Sequence, residues 1–257
     1  MELEHLRYEV ENGIATVTFD RPPVNAQNRR TREELIWVFD TISGSDHIKA
    51  AILTGGGRTF SAGADIKERS QLVAEPGTYF AHNRVTRESF FAMADCAKPV
   101  IAAINGPAIG AGYAAAACCD ILLAAQDAWI QMPELDRGLA GGAKFLTQHF
   151  SRSTSRMLFF TGRKMGAEEL WRQGVVSEVV PGPDLLPLAR EIATEIAEKS
   201  PIAMRKAKAA FNAVEEMPHR DGYRFEQTVT YELSHTADAA EARNAFLEKR
   251  APRFEGR

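Results

Sequence analysis

The chain has 257 residues, 45% hydrophobic and 25% charged, with a formal net charge of −3, a composition suited to a soluble globular protein of one domain plus a smaller appendage. That charge excludes a general pull toward nucleic acid or an anionic membrane, and no apolar run reaches the ~18 residues of a membrane span. Cys96, Cys118 and Cys119 form no C-x-x-C pair and the histidines show no metal-ligand spacing, so a reducing, cytoplasmic setting and no metal are expected.

The first 55 residues read as β-β-α-β. "GIATVTFD" alternates, with Ala15, Val17 and Phe19 on one face. Residues 31–43 carry Leu35, Val38, Phe39 and Ile42 at helical spacing. "KAAILTG" is a short apolar strand stopped by Gly55, Gly56 and Gly57. A helix is expected over about 78–94, and Pro99 opens the strand "PVIAAIN". A glycine-rich turn, a short helix and the strands "DILLAA" and "AWIQM" follow.

Strands alternating with helices imply an α/β core rich in parallel pairing. Past Gly141 the chain turns mostly helical: "GAEELWRQG" leads into one more strand, "VVSEVV". Helices are then expected over about 184–199, 202–216, 221–235 and 238–250, the second opened by Ser200 as N-cap and Pro201 in its first turn. This tail is too thin in apolar residues to make a large core, so residues 200–257 are expected to pack on a core formed by residues 1–199 or on another subunit.

Gly110, Gly112 and Ala115 match G-x-G-x-x-A between a strand and a helix, the setting of a dinucleotide fingerprint. However, Asp120 opens a new strand only eight residues after Gly112, leaving about two turns of helix, too few for a normal crossover. The glycines could simply let strand and helix approach closely. A third reading uses the amides: a helix start presents free N–H groups and the positive dipole end, which suits a developing oxyanion. "GGGRTFSAGADIKE" has the same character, so two turns could aim one donor each at a single carbonyl oxygen.

"RPPVNA", "AAILTGGGRTFSAGADIKE", "KPVIAAINGPAIGAG", "CDILLAA", "MPELDRG", "LFFTGRKMGAEELWRQGVVSEVV" and "AFLEKRAPRF" occur in an order that resembles the crotonase (enoyl-CoA hydratase/isomerase) superfamily. The resemblance implies a spiral of repeated ββα units with a C-terminal helical trimerisation region. It also implies an acyl-CoA thioester substrate of the kind handled in fatty acid metabolism, no cofactor beyond CoA itself, and a homotrimer or dimer of trimers. By position, the N–H groups of Ala62 and Ala111 are expected to hold the thioester oxygen. Ala111 stands where the family usually has glycine and must take a negative φ or be strained. Ala26, Ala62, Gly63, Ala64, Asp65, Ile66 and Gly110 are expected to line the substrate channel, with Phe246 and Lys249 reaching CoA near a subunit boundary.

The usual hydratase flanks the substrate double bond with two glutamates. Here the second is Glu134 and the first position carries Ala114. Adding water occupies two carboxylates; moving a double bond needs one base, which lifts a proton and returns it two carbons away. The expectation is an enoyl-CoA hydratase/isomerase-type enzyme with Glu134 as acid/base. The alternatives are an isomerase, decarboxylase or thioester hydrolase working with one glutamate, or a non-catalytic CoA-binding homologue. Asp136, Tyr113, Glu88 and His82 are candidates for the missing group without a spacing that marks them. "RGLAGGAKFL" lacks the family's usual proline after Glu134, so the acyl group is not carried over.

Overall fold

In the computed structural model, which describes residues 1–71 and 76–256, β1 (Leu6–Glu11) and β2 (Ile14–Phe19) form an antiparallel hairpin. Added to it in parallel are β3 (Ala50–Gly55), β4 (Val100–Ile104), β6 (Ile121–Ala125) and β9 (Glu178–Val180), in the order β1-β2-β3-β4-β6-β9. Val17, Leu53, Ala102 and Leu122 share one row across it. β3 is buried at every position, which accounts for its unbroken apolar run: an internal parallel strand is covered on both faces. Ala15, Val17 and Phe19 are buried as their alternation predicts, but Ile14 and Thr18 are buried too, because β2 is internal to the sheet.

A second sheet, β5 (Ala108–Ile109), β7 (Trp129–Gln131) and β8 (Met165–Gly166), has the order β5-β7-β8. Two isolated parallel bridges, Ser61 with Ala108 and Gln27 with Ala64, continue its line of pairing toward the N-terminal part of the chain. β5 and β8 have two residues each, too short for a period-2 pattern to reveal them.

The helices are α1 (Arg29–Gly44), α2 (Ile66–Gln71), α3 (Pro76–Ala94), α4 (Ala111–Ala117), α5 (Ala143–His149), α6 (Arg152–Thr161) and α7 (Ala167–Arg172). They are followed by α8 (Gly182–Ala197), α9 (Pro201–Val214), α10 (His219–Ser234) and α11 (Ala237–Glu248). Asn28 caps α1, accepting from Thr31 N at 2.9 Å, which starts the helix at Arg29, two residues before the range 31–43 expected from the sequence. α1 packs against α3, and α8 lies over β3, β4 and β6. α4 is apolar all round because it is interior: Gly112 through Ala117 are buried.

Ser200 caps α9, as its sequence predicts, and also donates to Asp238 Oδ2 at 2.6 Å, tying α9 to α11. α9 is fastened to the core by Lys208, whose buried ammonium donates to Asp120 Oδ2 at 2.8 Å and to Lys98 O at 3.1 Å. Among the described residues no helix is long and apolar enough to cross a membrane, and no three His, Cys, Asp or Glu residues gather as a metal site. Truncating Lys208 would strand a carbonyl and half of an ion pair. We expect Lys208→Ala to lower stability by about 2 kcal/mol, read as a lower urea midpoint at unchanged slope; an unmoved midpoint would mean that the pair contributes nothing.

Candidate active site

The turn after β3 is shaped from outside by two asparagines. Asn25, buried and at φ +53°, donates from Nδ2 to Gly56 O at 2.9 Å and Thr59 O at 2.7 Å. Asn105 donates from Nδ2 to Gly55 O and Gly57 O and accepts from Gly55 N at 3.0 Å. Both satisfy carbonyls that a tight turn cannot pair internally. Neither was singled out from the sequence, although both lie in the quoted segments "RPPVNA" and "KPVIAAINGPAIGAG".

Beyond the turn, residues 61–65 run between two neighbours. Ser61 pairs on one side, donating to Pro107 O and accepting from Ile109 N. Ala62 pairs on the other, its N–H donating to Val24 O at 2.9 Å. The expected donor is therefore already engaged, and Ala62 is not the free amide that its position suggested. Gln27 N donates to Gly63 O at 2.7 Å and Asp65 N donates to Gln27 O at 2.9 Å. In such a parallel bridge Ala64, enclosed between the two bonds, turns its own N–H away from Gln27. That N–H has no acceptor among the described residues. The reversal of side between Ala62 and Ala64 occurs at Gly63, whose φ is +82°. A Cβ there would lie 2.3 Å from Ile109 O, so only glycine fits.

The second turn meets the first at this place. A Cβ built on Gly63 would lie 3.1 Å from Ala111 N, which puts the Ala111 amide beside Gly63, the residue before Ala64. Ala111 opens α4, and its N–H also has no acceptor among the described residues. Its φ is not among the positive ones; Gly110 takes that conformation instead, at φ +53°. An alanine can therefore stand where glycine is usual without strain.

Glu134 comes from the turn after β7. Its Oε1 lies 2.6 Å from the point where a Cβ on Gly110 would stand, so the missing side chain at Gly110 makes room for the carboxylate. Glu134 opens the 3-10 turn Leu135–Arg137 without capping it by its side chain. Its carboxylate is directed at the glycine turn instead of its own helix start. Gly110 N donates to Gln131 O at 2.8 Å, so β7 fixes both the turn and the approach of Glu134. Two amides without acceptors and one carboxylate thus lie along the contact of the Gly63 and Gly110 turns, groups of the kind able to bind a carbonyl oxygen and move a proton on the adjacent carbon.

Ala114, 2% exposed, lies on the same helix with no polar atom to offer. Tyr113 is fully buried and bonded to His149 Nδ1 at 3.1 Å; burial raises its phenol and lowers the His149 imidazole, so the pair is neutral. Asp136 Oδ2 lies 3.0 Å from a Cβ position on Gly162 and is not among the atoms within 4 Å of a Cβ position on Gly110. Glu88 is an exposed partner of Arg87, and His82 is buried in α3. The half-buried Ala26 gives its carbonyl to Arg21 Nη1 at 2.9 Å, and Ile66 is exposed at the start of α2. Phe246 is 83% exposed, and Lys249 closes α11 at φ +53°. Within one chain neither joins the segments around Gly63 and Gly110 by a hydrogen bond among the described residues.

A sequence model of the family described as Enoyl-CoA hydratase/isomerase matches residues 9–257. The (7aS)-7a-methyl-1,5-dioxo-2,3,5,6,7,7a-hexahydro-1H-indene-carboxyl-CoA hydrolase of Rhodococcus jostii is 37% identical over 242 residues, covering 94% of this chain and 93% of that protein. The carnitinyl-CoA dehydratase of Citrobacter koseri is 34% identical over 262 residues, covering 99% of each. The crystal structure of an enoyl-CoA hydratase from Bacillus anthracis superposes with a TM-score of 0.93 at 30% identity, over 99% of this chain and all of that one.

The wall of the site carries an ion pair, Arg21 Nη2 to Asp65 Oδ2 at 2.8 Å. Burial alone would raise the Asp65 carboxyl, but Arg21 and the N–H groups of Lys67 and Glu68 outweigh it and hold the carboxyl below its ordinary range. A depressed carboxyl stabilises the fold above its unfolded pKa, about 4, and that contribution is lost as pH falls through the folded value. Melting curves of wild type and Arg21→Gln should therefore separate above about pH 4 and converge in acid. A gap independent of pH would contradict this.

Proposed function

The chain belongs to the enoyl-CoA hydratase/isomerase family of the crotonase superfamily, and on that premise we propose that it is an acyl-CoA enzyme whose enolate chemistry uses one carboxylate, Glu134. The thioester oxygen sits between the N–H groups of Ala64 and Ala111, each worth roughly 3 kcal/mol to the transition state. Glu134 takes a proton from the carbon next to the thioester, and the electron pair moves into the carbonyl to give the enolate held by the two amides. The protonated Glu134 then returns the proton two carbons away, and a 3-enoyl thioester becomes a 2-enoyl thioester with no other atom gained or lost.

The observation that carries this reading is the pairing of Glu134, directed at Gly110, with a buried alanine at position 114. Hydration would need a second group to orient water, and two of the candidates have contacts elsewhere: Tyr113 is bonded to His149 and Asp136 lies against Gly162. A second reading, hydrolysis of a CoA substrate, is favoured by the Rhodococcus jostii relative, whose name is that of a CoA hydrolase. The same enolate site would serve it, with water as co-substrate.

A homotrimer or dimer of trimers is part of the proposal. α9 to α11 expose Phe211, Tyr223, Tyr231, Phe246 and Leu247, each more than half accessible in the single chain, and such clustered apolar side chains mark a surface that another subunit covers. Phe246 and Lys249 would then reach CoA across the boundary.

A panel of 2-enoyl- and 3-enoyl-CoA thioesters, with products identified by mass and NMR, separates the readings. Migration of the double bond without gain of mass is expected. Gain of water without migration would overturn the one-carboxylate account, and release of a carboxylic acid would select the hydrolase. Glu134→Gln should lower kcat by about 10³-fold while CoA binding is retained; unchanged turnover would remove Glu134 from the mechanism.

A further inference from the structure

Gln27 is fully buried, yet the carbonyl oxygen of its side chain, Oε1, has no hydrogen-bond partner among the described residues. A buried acceptor left without a partner is unfavourable, and a leucine or methionine would fill the same space without one. The amide is explained by its other end. Nε2 donates to Ser61 Oγ at 3.2 Å and to Ala111 O at 3.2 Å. The backbone of the same residue makes the two bonds that enclose Ala64, to Gly63 O and from Asp65 N. One residue thus touches both turns, aiming the Ala64 N–H with its backbone and holding the Ala111 residue with its side chain.

Other bonds give this contact its direction. Ser61 Oγ accepts from Gln27 Nε2 and from Gly63 N at 3.2 Å, and donates to Asn25 O at 2.8 Å. Gln27 is therefore clamped at its backbone and at Ser61, and the bond to Ala111 O is the arm that reaches across to α4. Ile109 N and Gly110 N tie the preceding turn to Ser61 O and Gln131 O, and the bond from Gln27 Nε2 is the side-chain contact made to Ala111 itself.

We propose that Gln27 is a positioning residue of the oxyanion site, its side-chain amide setting the separation and aim of the Ala111 N–H relative to the Ala64 N–H. The proposal rests on the reading that these two amides bind the thioester oxygen. A geometric role of this kind acts on the bound carbonyl, leaves CoA affinity alone, and shows in kcat more than in KM.

The test is the carbonyl stretch of butyryl-CoA labelled with 13C at the thioester carbon, bound to the full-length protein and read by isotope-edited infrared spectroscopy. Wild type should shift the band to lower frequency than in free butyryl-CoA. Gln27→Met, which keeps the volume and loses both donated bonds, should lose at least half of that shift. On the substrate that the panel identifies, kcat should fall about tenfold with KM within twofold. Gln27→Glu adds a pH readout from a side chain that stays polar. Its protonated carboxyl can donate one bond, so the shift should return at low pH and vanish at high pH, while the wild-type shift stays constant over that range.

A Gln27→Met protein with the full wild-type shift and kcat would overturn the positioning role. If Gln27→Met does not fold, a Gln27→Glu band independent of pH would overturn it equally. No shift in wild type would instead defeat the oxyanion reading itself, so the two failures are distinguishable.

Discussion

The proposed site depends on two backbone N–H groups, those of Ala64 and Ala111, that have no acceptor among the described residues. Ala64 and Ala111 are half-buried; an amide without an acceptor forgoes a hydrogen bond, and a chain free to relax would close it. This one cannot. Ala64 is held between two bonds to Gln27 that turn its N–H outward, and Ala111 is the first residue of a helix, where no carbonyl precedes it in register. The second sheet and its two bridges, Gln27 with Ala64 and Ser61 with Ala108, hold together the segments that carry the two unsatisfied groups. On the proposed reading, the chemistry is stored as undischarged hydrogen bonding, fixed before any substrate arrives.

That organisation explains why so few reactive side chains are needed. α4 contributes an amide and a dipole, and its interior is alanine because it must be buried. Gly110 serves two ends at once: its positive φ lets α4 begin at Ala111, and its missing Cβ admits Glu134. Adding a side chain there would disturb the amide and the carboxylate together. The polar side chains of Asn25, Gln27, Ser61 and Asn105 all bond main-chain groups of this region.

The sequence was most informative where periodicity or turn chemistry acts locally. The parallel strands β3, β4 and β6, α1, and the four helices from α8 to α11 lie within about two residues of where apolar spacing and caps placed them, while β9 covers only the second half of the expected "VVSEVV". Glu134 and Ala111, named from the order of several motifs at family spacing, both lie at the Gly110 turn, and their roles belong to the proposal. The amide of the first turn was not legible. Along "SAGAD" the N–H groups of an extended chain alternate sides, and whether Ala62 or Ala64 faces the site depends on the φ of Gly63, which no residue type states. Gln27 was missed for a related reason: its bonds reach Ser61 and Ala111, up to 84 positions away. β5 and β8, with two residues each, fall below any periodic signal.

The account stands on formation of an enolate by Glu134 under the two amides, and the most direct measurement needs no knowledge of the natural acyl group. Butyryl-CoA, which has no double bond to move or hydrate, is incubated with the protein in deuterium oxide and followed by proton NMR. The account predicts loss of the proton signal at the carbon next to the thioester alone, dependent on Glu134. Binding of butyryl-CoA with no exchange at that carbon, or exchange undiminished in Glu134→Gln, would contradict it.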